Sequence, residues 1–411
     1  MADNKQPVLD YMLGTEKQQG WQKKYFLTPR GLSSFETGAV AMDHPSLSAY
    51  NIAKSSYQIR PDVFNMSYLS KETGLRKEEI ITRMQRLYNE HLIMYVMNPV
   101  VQVMGFGLYW WVVKMKDGTP KESKQKLSQW FQNKDEICTG METSGDFDFL
   151  NGCHMRVLDN LLHEIIFPVK SLPEVESVHI APVRRVIREA MINMWDADGD
   201  TYRELFLSDK QIEKLVKVQN KMDLTDLKIF RALNKRRPME QVYDYKVLNE
   251  ISGLDAGEML AGIKDIVENK RLLVPLFFIN AEKLGLTNHV FLIRIFQSTS
   301  SYVKSIIADK IAAIPELNMV NEFSDSYYDI VAAAYKETSD IEAIREQIGS
   351  SGEVDEIKEA DVVKDFRRWT CRLDDKSGMW EECVFTDDFL LDKTRNKMPE
   401  IDLAEKNREV E

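Results

Sequence analysis

The order of hydrophobic patterns along this 411-residue chain occurs twice. Residues 46–189 pass through a short helical block and then through strand, helix, strand, strand, helix, strand; residues 222–369 pass through the same order again. The stretches share few identical residues, so the repeat is one of order and spacing. A period of roughly 145 residues is far longer than a solenoid unit and implies a duplicated two-domain protein. A single core is not expected at this length.

The first copy opens with helices. LSAYNIAKSSYQI is closed by Arg60-Pro61, because proline disfavours helix in the residue before it. MSYLSKETGL stops at Gly74, the usual residue for a left-handed helix end. RKEEIITRMQRLYNEHLI places Ile80, Ile81, Met84, Leu87 and Tyr88 at helical spacing. Short helix, glycine turn and longer helix form a helix-turn-helix pattern, with LIMYVMNPVVQV following as a hairpin wing. GFGLYWWVVKMK is then apolar at nearly every position, so both faces of this strand must be covered, and adjacent Trp110 and Trp111 anchor opposite faces. KESKQKLSQWFQN reads as an amphipathic helix, DEICTGMET and DFDFLNGCHMR as strands joined at Ser144-Gly145, VLDNLLHEIIFPVKSLPEV as a helix broken near Pro168, and ESVHIAPVRRVIRE as the last strand. That order is βαββαβ, the ferredoxin-like split unit.

The second copy follows the same course. MDLTDLKIFRALNKRR carries an apolar stripe, with Asp223 and Thr225 as helix caps. Gly253 makes the turn before DAGEMLAGIKDIVENKRLL, HVFLIRIFQ is the apolar first strand, and DEIKEADVVKDFRRW the last. The fold class expected is α+β, with two winged helix-turn-helix domains (46–104 and 222–282) and two ferredoxin-like domains (105–189 and 283–369) in tandem. An N-terminal arm (1–45), a charged helical linker (190–221) and an acidic tail (370–411) lie outside them; Cys371 to Glu411 holds 7 Lys/Arg against 12 Asp/Glu.

Bulk properties narrow the function classes. The net charge of −11 argues against a protein coated in nucleic acid, while leaving room for a local basic face. No secretory signal is visible in MADNKQPVLDYMLG, and no uncharged apolar run reaches membrane-spanning length. The expectation is a cytoplasmic protein without a membrane partner. Cys138, Cys153, Cys371 and Cys383 form no CxxC and have no histidine at zinc-ligand spacing, so reduced thiols are expected and no metal site. Asp196, Asp198 and Asp200 alternate as in a calcium loop, but Thr201 and Leu207 stand where glycine and glutamate are needed, so a solvated turn is the better reading.

A helix-turn-helix of this length, a wing, and βαββαβ with Gly145-Asp146-Phe147-Asp148 at the central turn resemble the Lrp/AsnC (feast/famine) regulators. The stretch GDFDFLNGCHMRVLDNLLHEIIFPVKSLPEVESVHIAPV is similar to that family's ligand-sensing domain. The resemblance implies double-stranded DNA as partner and a small-molecule effector, amino-acid-like or an aromatic acid. It also implies self-association by pairing of the ferredoxin-like sheets, which one chain with two copies could satisfy internally.

The third helix of the first copy is then the candidate DNA reader, with Lys71, Arg76, Lys77, Thr82, Arg83 and Arg86 as donors for phosphates and base edges. Glu78 and Glu79 sit among them and repel phosphate; the alternative is a solvated charged helix. The matching turn of the second copy reads Asp255, Ala256, Gly257, Glu258, Met259 and has no cation before Lys264, so DNA contact is expected mainly from the first copy. Gly145, Asp146 and Asp148 are the candidate effector site, since glycine admits close backbone approach and Asp146 could accept from an amine; the alternative is a plain hairpin turn. In the second copy the turn becomes Asp325 to Asp329 without glycine, and no ligand is expected there. No nucleophile–base pair, phosphate loop or cofactor motif is specific enough to name a catalytic residue. The same architecture is used by the siroheme decarboxylases, so a tetrapyrrole enzyme is one alternative function. The His- and Arg-rich motif associated with their haem site is not recognisable between Cys138 and His154. A scaffold that kept the fold and lost the reader is the other.

Overall fold

The computed structural model describes residues 70, 74–89, 93–99, 104–134, 136–189, 192–193, 222–235, 245–266, 270, 272–279, 286–314, 316–324, 326–337, 339–368, 371–374, 379–380, 385 and 387–391. In chain order the elements begin with α1 (Lys77–Asn89), β1 (Ile93–Pro99), β2 (Gly107–Met115), α2 (Lys121–Gln132), β3 (Ile137–Gly145) and β4 (Phe149–Met155). A helix follows in three parts: α3 (Leu158–Leu161), a π-helical turn (Leu162–Ile166) and α4 (Phe167–Lys170). Then come β5 (Val175–Glu189), β6 (Ile192–Asn193), α5 (Leu224–Asn234), α6 (Tyr245–Ser252), α7 (Ala256–Lys264) and β7 (Leu273–Ile279). The last are β8 (Asn288–Ile295), α8 (Ser301–Ala312), β9 (Leu317–Phe323), β10 (Ile330–Tyr335), α9 (Ile341–Ser350), β11 (Val354–Arg368), β12 (Cys371–Asp374), β13 (Met379–Trp380) and α10 (Asp387–Leu390).

Eight antiparallel strands close on themselves in the order β11-β3-β4-β2-β5-β9-β10-β8 and back to β11. Within each half the fourth strand lies beside the first, then the third, then the second. Two joins complete the ring. The far end of β5 pairs with β9, from Val183↔Phe323 to Arg188↔Val320, and the far end of β11 pairs with β3, from Ala360↔Gly145 to Arg368↔Thr139. The two expected four-stranded sheets are therefore one closed barrel in a mixed α/β chain. The last strand of each half, at 15 residues, is long enough to pair with its own half and then reach the other.

The apolar strands explain the closure, because each needs cover on both faces. Trp110 and Val112 point into the barrel with Leu150, Val290, Leu292 and Val331. Trp111, Val113 and Met115 point outward beneath the helices, and Trp111 meets the Phe131 ring edge-on at 4.9 Å. Complete burial of a side chain as large as Trp111 is worth about 4 kcal/mol in area removed from water. The second half builds the same outer layer from Phe291, Ile293, Ile295, Ile307 and Ile311.

Each half also completes a helix of the other. Arg188, on β5, donates from Nη1 to the Ile314 and Leu317 carbonyls at 2.7 Å each, and from Nη2 to that of Ala312, closing the C-terminal end of α8. Arg367, on β11, donates from Nη2 to the Lys134 carbonyl at 2.6 Å and the Gln132 carbonyl at 3.1 Å, beyond α2. Cations there oppose the negative end of the helix dipole and bond carbonyls that the helix leaves open. Burial lowers the Arg188 guanidinium to about 10, so it stays charged at neutral pH. The helix expected to break at Pro168 widens instead: proline has no N–H and its ring crowds the carbonyl four residues back, and the π turn just before it relieves both.

At the start of the second half α5, α6 and α7 pack around one apolar core. Asp223 caps α5 in a reciprocal box with Asp226, and Asp255 caps α7 with Glu258. Of the first unit, Ser70, Gly74–Arg76, α1 and β1 are described; the two helices expected before residue 70 lie outside the described residues, and a pair of winged domains is not shown. The wing is corrected. Strand β1 is expected to fold back on itself, but it pairs along its whole length with β7 of the second unit, from Ile93↔Ile279 to Pro99↔Leu273. Met97 is buried in the second unit's core, and Asn234 holds its backbone, accepting from Met97 N at 2.8 Å and donating to Met97 O at 3.0 Å. Phe385 and Leu390, from the segment set apart as a tail, are buried in that core too, and Arg231 pairs with Asp387 at 2.7 Å.

Candidate functional site

Helix α1, which carries the expected DNA-contacting residues, is anchored by Ile80, which is fully buried, and starts after the turn at Gly74, where φ is +67° and the amide donates to Ser70 O at 3.0 Å. Arg76, Lys77 and Thr82 are exposed, while Arg83 and Arg86 are half-buried. Thr82 Oγ1 donates back to Glu78 O at 2.7 Å. Arg83 Nη2 lies 3.0 Å from Glu79 Oε1, an i,i+4 pair along the same face. Arg76 and Lys77 stand before the acids, whereas Arg83 must leave Glu79 to meet a phosphate. Lys71 lies outside the described residues. In α7 the corresponding N-terminus is occupied by Asp255, which accepts from Gly257 N and Glu258 N, and by Glu258, which accepts from Asp255 N. Lys264 sits in the last turn, exposed.

The turn from Gly145 to Asp148 lies on the join between β3 and β11. Asp146 N donates to Glu359 O at 2.8 Å and its carboxylate accepts from Glu359 N at 2.9 Å, so the turn extends the ladder across the join. Gly145 has φ of 150°, and a Cβ there would lie 2.4 Å from Glu359 O and 2.8 Å from Ala360 Cα. Asp148 is buried. Its Oδ2 accepts from Met115 N at 2.7 Å and its Oδ1 from Lys124. In the second half Asp329 has the same partners: Oδ2 accepts from Ile295 N at 2.7 Å and Oδ1 from Lys304 at 2.7 Å. The structure thus brings Gly145, Asp146 and Asp148 together, and it places Asp329 as the counterpart of Asp148. Asp325 lies outside the described residues.

Sequence reasoning missed two polar clusters. On the other join, the Tyr327 ring stacks on His179 with centroids 4.4 Å apart, the Arg294 guanidinium lies 4.7 Å from the Tyr327 centroid, and Tyr327 Oη donates to Glu356 at 3.4 Å. Burial pushes the neighbouring Tyr328 hydroxyl well up, and burial likewise lowers the His179 imidazole. On the outer face, His289 Nδ1 is 2.7 Å from Asp361 Oδ1 and Nε2 is 3.1 Å from Glu359 Oε2. Burial raises the Asp361 carboxyl, but hydrogen bonds from Lys336 and His289 more than offset this and hold it below its usual value. Charged residues inside otherwise apolar strands, Arg294 in HVFLIRI above all, were the available signal. Cys138, Cys153 and Cys371 are buried free thiols, and burial raises that of Cys153 well above the ordinary range. Among the described residues no group of three or more His, Cys, Asp or Glu could hold a metal, and no helix is long and apolar enough to cross a membrane.

No protein-family model and no curated protein matches the chain. Among solved structures, the siroheme decarboxylase NirDL in complex with an iron-uroporphyrin III analogue superposes with a TM-score of 0.52 at 10% identity, covering 84% of this chain and 95% of that one. A second NirDL structure gives 0.52 and 10% over 83% and 96%. Escherichia coli AsnC matches over 36% of this chain and 94% of its own, at 15% identity and a TM-score of 0.29. The NirDL likeness extends over most of both chains and shows a shared fold.

Proposed function

We propose that the chain is a ligand-responsive transcriptional regulator of the Lrp/AsnC type, in which two winged-helix units and two ferredoxin-like units are fused by tandem duplication and DNA is met mainly through α1. The observation that carries the reading is the asymmetry of the two helix starts. Arg76 and Lys77 are exposed and precede the acids at the start of α1, whereas the start of α7 is closed by two acids that cap it. The pairing of sheets that such regulators make between chains is supplied here by the barrel within one chain. Arg76→Ala with Lys77→Ala should lower the log–log salt dependence of binding to random-sequence duplex DNA by about 0.9 for each phosphate that is no longer neutralised. Arg83→Ala with Arg86→Ala should weaken binding as well, and Lys264→Ala should do less. Equal losses from α1 and α7, or no binding at low salt, defeat the reading.

An amino-acid-like or aromatic-acid effector at Gly145, Asp146 and Asp148 would compete with Glu359 N for Asp146, and with Met115 N and Lys124 for Asp148. Effector binding and opening of the β3–β11 join are then linked equilibria. Calorimetry against a panel of such acids, with and without Asp146→Ala, tests this.

The likeness to NirDL over most of the chain favours a tetrapyrrole enzyme as the second reading. A macrocycle would need a free imidazole or converging unpaired cations. Among the described histidines His289 is held by two carboxylates, His179 is stacked on Tyr327 and His154 is buried against Phe385, while His163 is exposed on the π turn beside the Phe167 ring. A single exposed imidazole is weaker support than the asymmetry of the two helix starts, which places this reading second. A saturable shift in the absorption of an iron-uroporphyrin on mixing would reverse that order.

A further inference from the structure

An eight-stranded barrel has a lumen just wide enough to be filled by side chains or to hold one small ligand. Side-chain size decides between the two. Here small inward residues, Gly152, Ala181, Val290, Ala333 and Ala360, alternate with large ones such as Trp110, Phe147, Phe323 and Tyr328. Three of the polar side chains on that inner face stand out. Asn321 stands opposite Val331 on β9, Trp110 opposite Gly152 on β2, and His154 two residues beyond Gly152 on β4. All three are more than nine-tenths buried, with exposures of 1%, 5% and 5%. Yet the Asn321 Nδ2 and Oδ1, the Trp110 Nε1 and the His154 Nδ1 have no hydrogen-bond partner among the described residues. An unpaired buried amide or imidazole is costly and rare, and an unexplained one marks a missing partner.

We infer that the barrel lumen is a binding site for a small, mostly apolar molecule that carries a carbonyl group and no negative charge. The Trp110 N–H supplies a donor to the carbonyl. The Asn321 amide supplies a donor and an acceptor together, which suits an amide or a hydrated ketone. The rest of the wall is Val112, Met141, Leu150, Leu292, Met319 and their apolar neighbours, which suits a ring or a short chain. A negative charge is excluded on two counts. Burial holds His154 neutral, with its value lowered to about 3, so it offers no cation to an acid. Asp365, buried opposite Met141 and already partnered, repels an anion. The site also belongs to one chain with two unlike halves. The bonds to Asp148 and Asp329 align Met115 with Ile295 and Lys124 with Lys304, each pair 180 residues apart, and on that alignment Asn321 corresponds to Met141 and Trp110 to Val290. The Asn321 amide and the Trp110 N–H thus occur once, which makes a single oriented site.

The test is calorimetric titration of the full chain with benzamide and acetophenone, with benzoate as the charged control, in the absence of DNA. Saturable binding of at least one neutral probe is expected, with benzoate at least about tenfold weaker. Asn321→Leu, similar in volume and free of the unpaired amide, should weaken benzamide at least about tenfold and raise the melting temperature. Ala333→Leu, which fills the lumen from the neighbouring strand, should abolish binding while Asn321 stays in place. The inference is overturned if neither neutral probe saturates, if benzoate binds equally well, or if benzamide binds Asn321→Leu within twofold of the natural chain. It is overturned equally by a high-resolution structure with benzamide present that shows only water on Asn321 and Trp110. Because no DNA is present, failure of the regulator reading would leave these outcomes unchanged.

Discussion

Replacing Gly145 with alanine tests whether the central turn of the first half is a seam of the barrel. The added Cβ would sit 2.4 Å from Glu359 O and 2.8 Å from Ala360 Cα, both backbone atoms of β11 that cannot swing aside. The residue would also be held at φ of 150°, which alanine rarely adopts. Overpacking of this kind costs about 1–3 kcal/mol and the backbone strain about 1–2 kcal/mol. Relief by separation of the strands loses the two Asp146–Glu359 hydrogen bonds, at about 1 kcal/mol each. The expected loss is about 2–5 kcal/mol, taken from strain or from broken bonds. Gly118→Ala is the control: its φ of +79° is strained in the same way, but no atom lies within 4 Å of the new Cβ, so only about 1 kcal/mol is expected. Urea unfolding gives the two values, and hydrogen exchange at the Glu359 amide shows whether the seam has opened. If Gly145→Ala costs no more than Gly118→Ala, or if the Glu359 amide stays as protected as before, the close approach of β11 does not govern this turn.

Three further outcomes follow from the same geometry. His154 has its ring value lowered by burial from 6.5 to about 3, so the unfolded chain binds the extra proton between those values; stability is full above pH 6.5 and falls as pH drops, by about 2 kcal/mol at pH 5. Urea midpoints at pH 7 and pH 5 should therefore converge in His154→Leu relative to the natural chain, and an unchanged gap would show that this imidazole is not the cause. Asp148→Asn and Asp329→Asn should each cost about 1–3 kcal/mol and by similar amounts, since each loses a lysine partner and weakens a bond to a strand amide; a large cost at only one of them would deny that the sites correspond. Asn234→Leu should free the backbone of Met97 and cost about 1–3 kcal/mol, detectable as faster hydrogen exchange along β1.

The strands were legible because burial on both faces leaves a mark that no surface strand carries. GFGLYWWVVKMK and HVFLIRIFQ have almost no polar position, and the opposed placement of Trp110 and Trp111 follows from the two-residue period alone. The closure was not legible. Two stacked sheets and one closed barrel ask for the same hydrophobic pattern, and what distinguishes them is that β5 and β11 overrun their partners, a matter of register across 137 residues or more, as in Arg185 with Glu322. The part played by Gly145 was half legible. Glycine and aspartate announced a special turn, but the atom that forbids a side chain belongs to Glu359, far along the chain. The correspondence of Asp148 with Asp329 was hidden for a different reason. The glycine before Asp148 has no equal in the second half, while the aspartate itself and its lysine have kept their places.

A fused pair can do what a pair of identical chains cannot. In a symmetric dimer every residue is used twice, so a change that improves one copy of a site is imposed on the other. Here the bonds that hold the barrel together are the same on both sides: Asp148 with Met115 N and Lys124, Asp329 with Ile295 N and Lys304, and an arginine from each half at the end of the other's helix. The differences fall where the barrel does not need agreement. On the outer face, exposed Phe296, Tyr302, Val303 and Ile306 stand where the first half has Lys116, Glu122, Ser123 and Lys126. In the lumen, Asn321 and Trp110 stand against Met141 and Val290. At the helix starts, Arg76 and Lys77 stand against Asp255 and Glu258. Self-repulsion and unpaired polar groups would penalise each of these changes if it were made in duplicate. Made once, each leaves the joins intact, and the chain gains one outer face, one side of the lumen and one helix start that differ from their counterparts.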